Sequence, residues 1–409
     1  MSSRDLGKLS DKSHSSRPRN LLLTLSLLVG LQPITTDLYL PALPALKADL
    51  AAPLSLAQLT LSATMLAFGL SQLVFGPLSD RFGRRPVLIG GLFAYSISAL
   101  ACALAGSIEA LIAARIVQGA SMGAGVMAAR AIVRDLFAPG EGARIMSRAM
   151  TGLGIIGCLS APLGGVLTEL GGWRLAFAAI GVFGACTLAL ILLRYEETAP
   201  EAAPNSLAPR ALAATWLAIL SHRGFRAWTL LTISAYAGIF TFLAASSFVF
   251  LDVFGFSRLQ YGLLLFSMSI FYISGTIACR RALARFRITH VIAAASILTL
   301  ASGMTMGLLW LSGVGSAAAI ILPWYGYAFA HGFHMPCAQI GAVAAFPRAA
   351  GTASALNGSL MMLVAFAIGA WIGNRFDGTA DVLVIGIWAS STCVALSAWT
   401  VVRRDGALA

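Results

Sequence analysis

The chain has 409 residues, 58% of them hydrophobic and 11% charged, with a formal net charge of +12 and a mean hydropathy of +0.84. Soluble domains carry roughly 25% charged residues, so this composition excludes an ordinary water-soluble protein and points to a polytopic helical membrane protein. The apolar runs are continuous over about 20 residues, which excludes an outer-membrane barrel with its alternation over about 10. The basic residues sit in short loops between those runs, so the charge does not mark a nucleic-acid partner.

Taken in order, the runs predict spans at 20–45, 56–79, 87–106, 109–131, 145–168, 174–194, 227–251, 259–279, 289–311, 316–340, 351–373 and 382–402. Each is long enough to cross a hydrocarbon core of about 30 Å at about 1.5 Å per residue. Arg17 and Arg19 before the first run resemble a signal peptide. That run exceeds an h-region of about 7–15 residues and many spans follow, so it reads as a retained first span. The chain then divides into a tail (1–19), a six-helix half (20–194), a linker (195–226), a second six-helix half (227–402) and a tail (403–409). The linker carries Glu196, Glu197, Glu201, Pro200, Pro204 and Pro209, and its apolar stretch from Ala211 to Leu220 suits a surface helix. Two equal halves around a polar linker are what a duplicated transporter looks like. Gly275-Thr-Ile-Ala-Cys279-Arg280 after span eight weakly echoes Gly76-Pro-Leu-Ser-Asp80-Arg81 after span two.

If the N-terminus is inside, the inner segments hold 22 Lys and Arg residues and the outer ones only Lys47, Arg174, Arg258 and Arg375. The positive-inside rule therefore expects both termini in the cytoplasm.

Span one contains one carboxylate, Asp37, with no charged neighbour closer than Lys47. A lone acid in an apolar segment is expensive and is by default a functional-site hypothesis. Arg115 lies about as far below the outer end of span four as Asp37 does in span one, so the two could meet as counter-charges. The same residues also fit a short span ending at Asp37, with Pro41 and Pro44 in a loop beyond it. Arg130, near the inner end of span four, can snorkel to water.

The loop Gly76-Pro-Leu-Ser-Asp80-Arg81-Phe-Gly83-Arg84-Arg85 is the most specific motif. Gly76 allows close helix approach, and Asp80 suits a helix N-terminus or an arginine. Its arginines also satisfy the positive-inside rule alone. In span five, Gly154, Gly157 and Ala161 fall on one flat face, with Pro162, Gly164 and Gly165 following. Ordinary small-residue packing explains them equally well. His331 and His334 sit in an aromatic stretch of span ten. No third ligand lies nearby, so they read as structural or pocket-lining residues rather than a metal pair or proton relay. The six cysteines show no CxxC spacing and read as small core residues. There is no Walker sequence and no hydrolase constellation.

These residues resemble the major facilitator superfamily. The Gly76–Arg85 loop is similar to its signature between spans two and three, and Leu111-Ile-Ala-Ala-Arg115-Ile-Val-Gln118-Gly119 to its span-four motif, whose arginine is linked to proton transfer. Gly157-Cys-Leu-Ser-Ala161-Pro162-Leu-Gly164-Gly165 resembles its antiporter motif, with Ala161 in place of a glycine. Asp37-Leu-Tyr-Leu-Pro41-Ala-Leu-Pro44 and Trp173-Arg174-Leu-Ala-Phe177 look like the 12-span drug–proton antiporters of the bicyclomycin-resistance type. The resemblance implies an all-α membrane fold of two six-helix halves around a central cavity. It further implies efflux of small amphipathic drugs of the bicyclomycin or chloramphenicol kind, driven by protons without a cofactor, by a monomer in a bacterial inner membrane. Asp37 and Arg115 would couple protons, and the Gly76–Arg85 loop would latch the inner gate, with Asp80 facing the start of span eleven near Gly351. Expected pocket residues are Thr36, Tyr39, Gln118, Tyr236, Phe240 and Asn357. A metabolite exporter for an amino acid or sugar, a membrane-embedded enzyme and a non-transporting sensor are the alternatives; the last two lack a catalytic constellation and a signalling domain.

Overall fold

The computed structural model describes residues 21–198 and 209–406. The tails at 1–19 and 407–409, and the linker stretch with Pro200, Glu201 and Pro204, lie outside the described residues. Among those described, every regular element is a helix. Ten stretches are long and apolar enough to cross a bilayer: Leu21–Asp49, Leu54–Phe82, Arg84–Ala103, Ile108–Leu136, Arg144–Arg194, Arg223–Val253, Arg258–Leu283, Ile288–Leu311, Ala350–Arg375 and Asp381–Asp405. The stretch Arg144–Arg194 holds two spans, five and six. Gly171 (φ −144°) and Gly172 (φ +73°) leave the helical region there, the second in a conformation that only glycine adopts without strain. Span ten is Ala317–Ala344, whose two prolines and two histidines lower its hydropathy without shortening it. That completes the twelve. The linker forms a helix at Pro209–Ser221.

Large apolar side chains such as Leu170 (77% exposed) and Leu193 (79% exposed) point outward. Such a surface is costly in water and natural in lipid.

Span one is the irregular element. It is α-helical over 21–36, turns over 37–39, and resumes as a 3₁₀ turn at Leu40–Ala42 and an α-helix at Leu43–Asp49. The cause is in the sequence. Pro41 and Pro44 have no N–H to return to the carbonyls four residues earlier, those of Asp37 and Leu40, so the ladder fails there. Asp37 is therefore at a break inside the span, and Pro41 and Pro44 belong to the span rather than to a loop beyond it.

Lipid supplies no hydrophobic drive between helices, so close van der Waals approach must hold the bundle together. Glycines provide it. Gly69 of span two faces Met362 of span eleven, and the Ser359 hydroxyl donates to the Gly69 carbonyl at 2.6 Å. A side chain on Gly262 of span eight would stand 2.8 Å from the Ala161 carbonyl of span five. Both contacts join the first six spans to the last six. Within the first half, Gly119 of span four faces the Thr64 carbonyl of span two. Because that obstacle is backbone, Gly119→Val should destabilise the protein by about 1–3 kcal/mol. A thermal midpoint in detergent equal to that of the unsubstituted protein would contradict this packing.

Candidate transport site

The break in span one opens onto a cavity of about 290 Å³ lined by spans of both halves. Its walls are aromatic and apolar: Tyr236, Phe240 and Phe242 of span seven, Tyr272 of span eight and Trp324 of span ten. Span one contributes Gln32, Thr36 and Asp37, span five Gly157 and Ala161, and span ten His331. Asp37 is the only acid lining it among the described residues. Its carboxylate is partly buried and accepts a hydrogen bond from the Thr36 hydroxyl at 2.7 Å, while its backbone N–H closes the last helical turn on the Pro33 carbonyl at 2.8 Å.

Arg115 is fully buried but does not pair with Asp37. Its Nη1 donates to the Thr35 carbonyl (3.2 Å) and to Gln118 Oε1 (2.7 Å), and its Nε to the Thr60 carbonyl (3.2 Å). Its guanidinium lies 4.5 Å from the Tyr39 ring centre and 5.5 Å from that of Phe177. The matched depths are real, since Arg115 touches span one two residues from Asp37. At the break, however, the Asp37 side chain turns to the cavity while Arg115 faces the backbone and spans two and four. Carbonyl dipoles, an amide oxygen and two ring faces take the place of a counter-ion. Arg115 thereby grips both shoulders of the break, Thr35 and Tyr39.

Span five presses the break from another side. Gly164 faces the Leu38 carbonyl and Gly157 faces Pro33, both of span one; Ala161, Pro162 and Gly165 face Gly262 and Arg258 of span eight. A side chain on Gly154 would meet open space, so Gly154 has no part in the expected packing face. Beyond the span, the Trp173 indole and the Arg174 guanidinium donate to the Asp49 carboxylate at 3.0 and 2.6 Å, tying down the far end of span one.

Of the expected pocket residues, Thr36, Tyr236 and Phe240 line the cavity and Tyr39, Gln118 and Asn357 do not. Tyr39 is packed on Arg115 with its hydroxyl 3.0 Å from that of Thr60, and Gln118 turns its Oε1 to Arg115. Asn357 is buried elsewhere in span eleven. Gln32, Phe242, Tyr272 and Trp324 escaped sequence reasoning because nothing in a continuous apolar run says which face a helix turns inward. His331 lines the cavity, whereas His334 Nε2 is 2.9 Å from the Thr299 hydroxyl in the packing of span nine.

The motif after span two forms a charge cluster at the arginine-rich end. Gly83 (φ +94°) makes the turn into span three. The buried Arg84 reaches Asp80 at 2.6 Å and Asp135 of span four at 2.9 Å. Arg134 joins Asp80 at 3.3 Å. Arg85 donates to the Leu192 carbonyl at 3.3 Å, and exposed Arg81 stacks on Phe82. Glu197 of the linker accepts from the backbone N–H groups of Arg84 and Arg85, both at 2.9 Å, and so caps span three where the helix dipole favours an anion. Asp135 and Glu197 were not foreseen as partners; the acids beside Arg134 and after span six were the available signal. Asp80 and Gly351 do line one cleft of about 420 Å³ with Gly76 and Arg130, but Arg134 stands between them. Arg130 donates to the Ser354 hydroxyl of span eleven at 3.0 Å. Cys279, the counterpart of Asp80, is buried against Cys337 of span ten.

A cavity walled by apolar spans from both halves of the chain, with one acid among its described lining residues, defines a membrane transporter of the two-bundle kind. The chain belongs to the Major Facilitator Superfamily, whose family model matches residues 25–370. It is 31% identical to an uncharacterized MFS-type transporter YdgK of Bacillus subtilis (strain 168), over 86% of this chain and 88% of that protein. It is 30% identical to multidrug resistance protein D of Escherichia coli (strain K12), over 83% and 85% of the two chains. The crystal structure of a D-xylose-proton symporter shares the fold, with a TM-score of 0.76 at 16% identity over 95% of this chain and 98% of that one.

Within the charge cluster, the Arg84 side chain is 3% exposed and that of Arg134 60%. Removing a buried ion-pair partner costs about 3–5 kcal/mol, an exposed one about 0–1 kcal/mol. Arg84→Gln should therefore lower the thermal midpoint in detergent well below that of Arg134→Gln, and equal midpoints would contradict the cluster.

Proposed function

We propose that this transporter exports small amphipathic drugs from the bacterial cell in exchange for protons. It would act by alternating access, as a monomer in the inner membrane with both termini cytoplasmic. Similarity to a multidrug resistance protein supports the substrate class. One observation carries the coupling: the only acid lining the cavity, Asp37, has no ion-pair partner among the described residues, and the nearby buried cation is held without it. Asp37 can gain or lose a proton without breaking the clamp that shapes span one.

In the proposed cycle Asp37 takes a proton from the outer side. Neutralising it removes the cost of enclosing a carboxylate in a low-dielectric cavity, and the protein turns inward. A drug entering from the cytoplasm or inner leaflet stacks on the aromatic wall. Its arrival favours loss of the proton, and the loaded protein turns outward. The membrane potential supplies about 2.3 kcal/mol per charge per 100 mV, with any pH gradient added, so no cofactor is needed. The glycine contacts of span five with span eight, and of span two with span eleven, are the surfaces on which the halves would rock.

Asp37→Asn tests the carrier role in everted membrane vesicles at matched protein level. The expected result is loss of drug-driven proton movement with an unchanged thermal midpoint; coupling equal to that of the unsubstituted protein would sink it. Arg115→Ala frees the Thr35 carbonyl and Tyr39, and is expected to abolish exchange as well. Normal exchange of drug and protons by this variant would remove Arg115 from the mechanism.

A further inference from the structure

The cavity has a second polar pole that the proton cycle does not use. His331 of span ten is 6% exposed, lines the cavity, and its buried Nδ1 has no hydrogen-bond partner among the described residues. Its position is tightly held. The next residue, Gly332, lets span ten press on span eight, where a side chain would stand 2.6 Å from the Tyr272 carbonyl. Reciprocally, Gly275 of span eight faces the Phe329 carbonyl. The Tyr272 ring, 5.7 Å from the imidazole centre, supports one side of His331. Nothing in this packing satisfies Nδ1, although buried polar groups are nearly always hydrogen-bonded. His334 differs: its Nδ1 is also unpartnered, but it does not line the cavity, and its Nε2 already meets Thr299.

We infer that His331 is a substrate anchor in the cavity that also holds Asp37, and that the cavity takes an aromatic or flat apolar body bearing a hydrogen-bonding group toward span ten. A neutral imidazole presents one donor and one acceptor, so it meets an amide, hydroxyl or nitro group rather than a charge. Asp37 with Thr36 forms the other pole, on span one, and the aromatic wall of Tyr236, Phe240 and Trp324 lies in the same cavity. A ligand engaging both poles bridges the two halves of the chain, which ties its occupancy to their rocking. The inference rests on the drug-export reading and narrows its substrate class.

Purified protein in detergent is tested with two probes. Chloramphenicol is a single ring with hydrogen-bonding groups at both ends; tetraphenylphosphonium is an apolar cation with none. His331→Leu should weaken chloramphenicol binding roughly tenfold and leave tetraphenylphosphonium within about twofold. His331→Gln, which keeps a donor and an acceptor, should restore most of the chloramphenicol affinity. Unchanged chloramphenicol binding by His331→Leu overturns the anchor while leaving drug export standing. So does an equal loss of both probes, which would mean a deformed cavity, and so does a His331→Gln variant as weak as His331→Leu. An unsubstituted protein that binds neither probe overturns the export reading and the anchor with it.

Discussion

The interaction on which the site depends is the grip of Arg115 on the broken first span. Two prolines interrupt the helix after Thr36, and a helix end leaves carbonyls without partners. In lipid such groups must be satisfied inside the protein. Arg115 takes the Thr35 carbonyl and stacks on Tyr39, so one side chain secures the chain before and after Asp37. Gly164 of span five fits over the Leu38 carbonyl, and Phe177 of span six covers the other face of the nest, with its ring 5.4 Å from that of Tyr39. The four segments that resembled family motifs in spans one, four, five and six therefore converge at one place. Together they hold an irregular turn rigid so that a carboxylate can face the cavity.

This arrangement separates two duties that a direct ion pair would combine. The buried guanidinium shapes the backbone, and in the proposed cycle the carboxylate carries the proton. An Asp–Arg pair would hold the acid ionised and resist protonation. The side-chain partner of Asp37 is the Thr36 hydroxyl, so the protonation step of that cycle would break no ion pair of the framework.

The charge cluster at the arginine-rich end follows the same economy of parts. Arg84 lies between two carboxylates from spans two and four, and Glu197 brings the start of the linker onto the first turn of span three. The linker is thus fastened to the first half where Arg134 and Arg130 approach span eleven of the second.

Much of this was legible in the residues alone. The apolar runs anticipated the twelve helices, because a membrane helix must be about 20 residues long and apolar whatever it packs against; span ten alone falls short in hydropathy. The irregularity of span one was written in Pro41 and Pro44, since a missing N–H is a local property. Asp37 drew notice because an acid in an apolar run is a local signal too, and it lines the cavity with Thr36, Tyr236 and Phe240. The partner of Arg115 was not legible: sequence gives depth along a helix but not rotation about its axis, and a two-residue offset across a broken turn decided between a carboxylate and a carbonyl. The same blindness to rotation hid Tyr272 and Trp324, misplaced Tyr39, Gln118 and Asn357, and left His331 and His334 indistinguishable. Only the packing of twelve helices against one another, set by where glycine lets backbones touch, decided which of those side chains face the cavity.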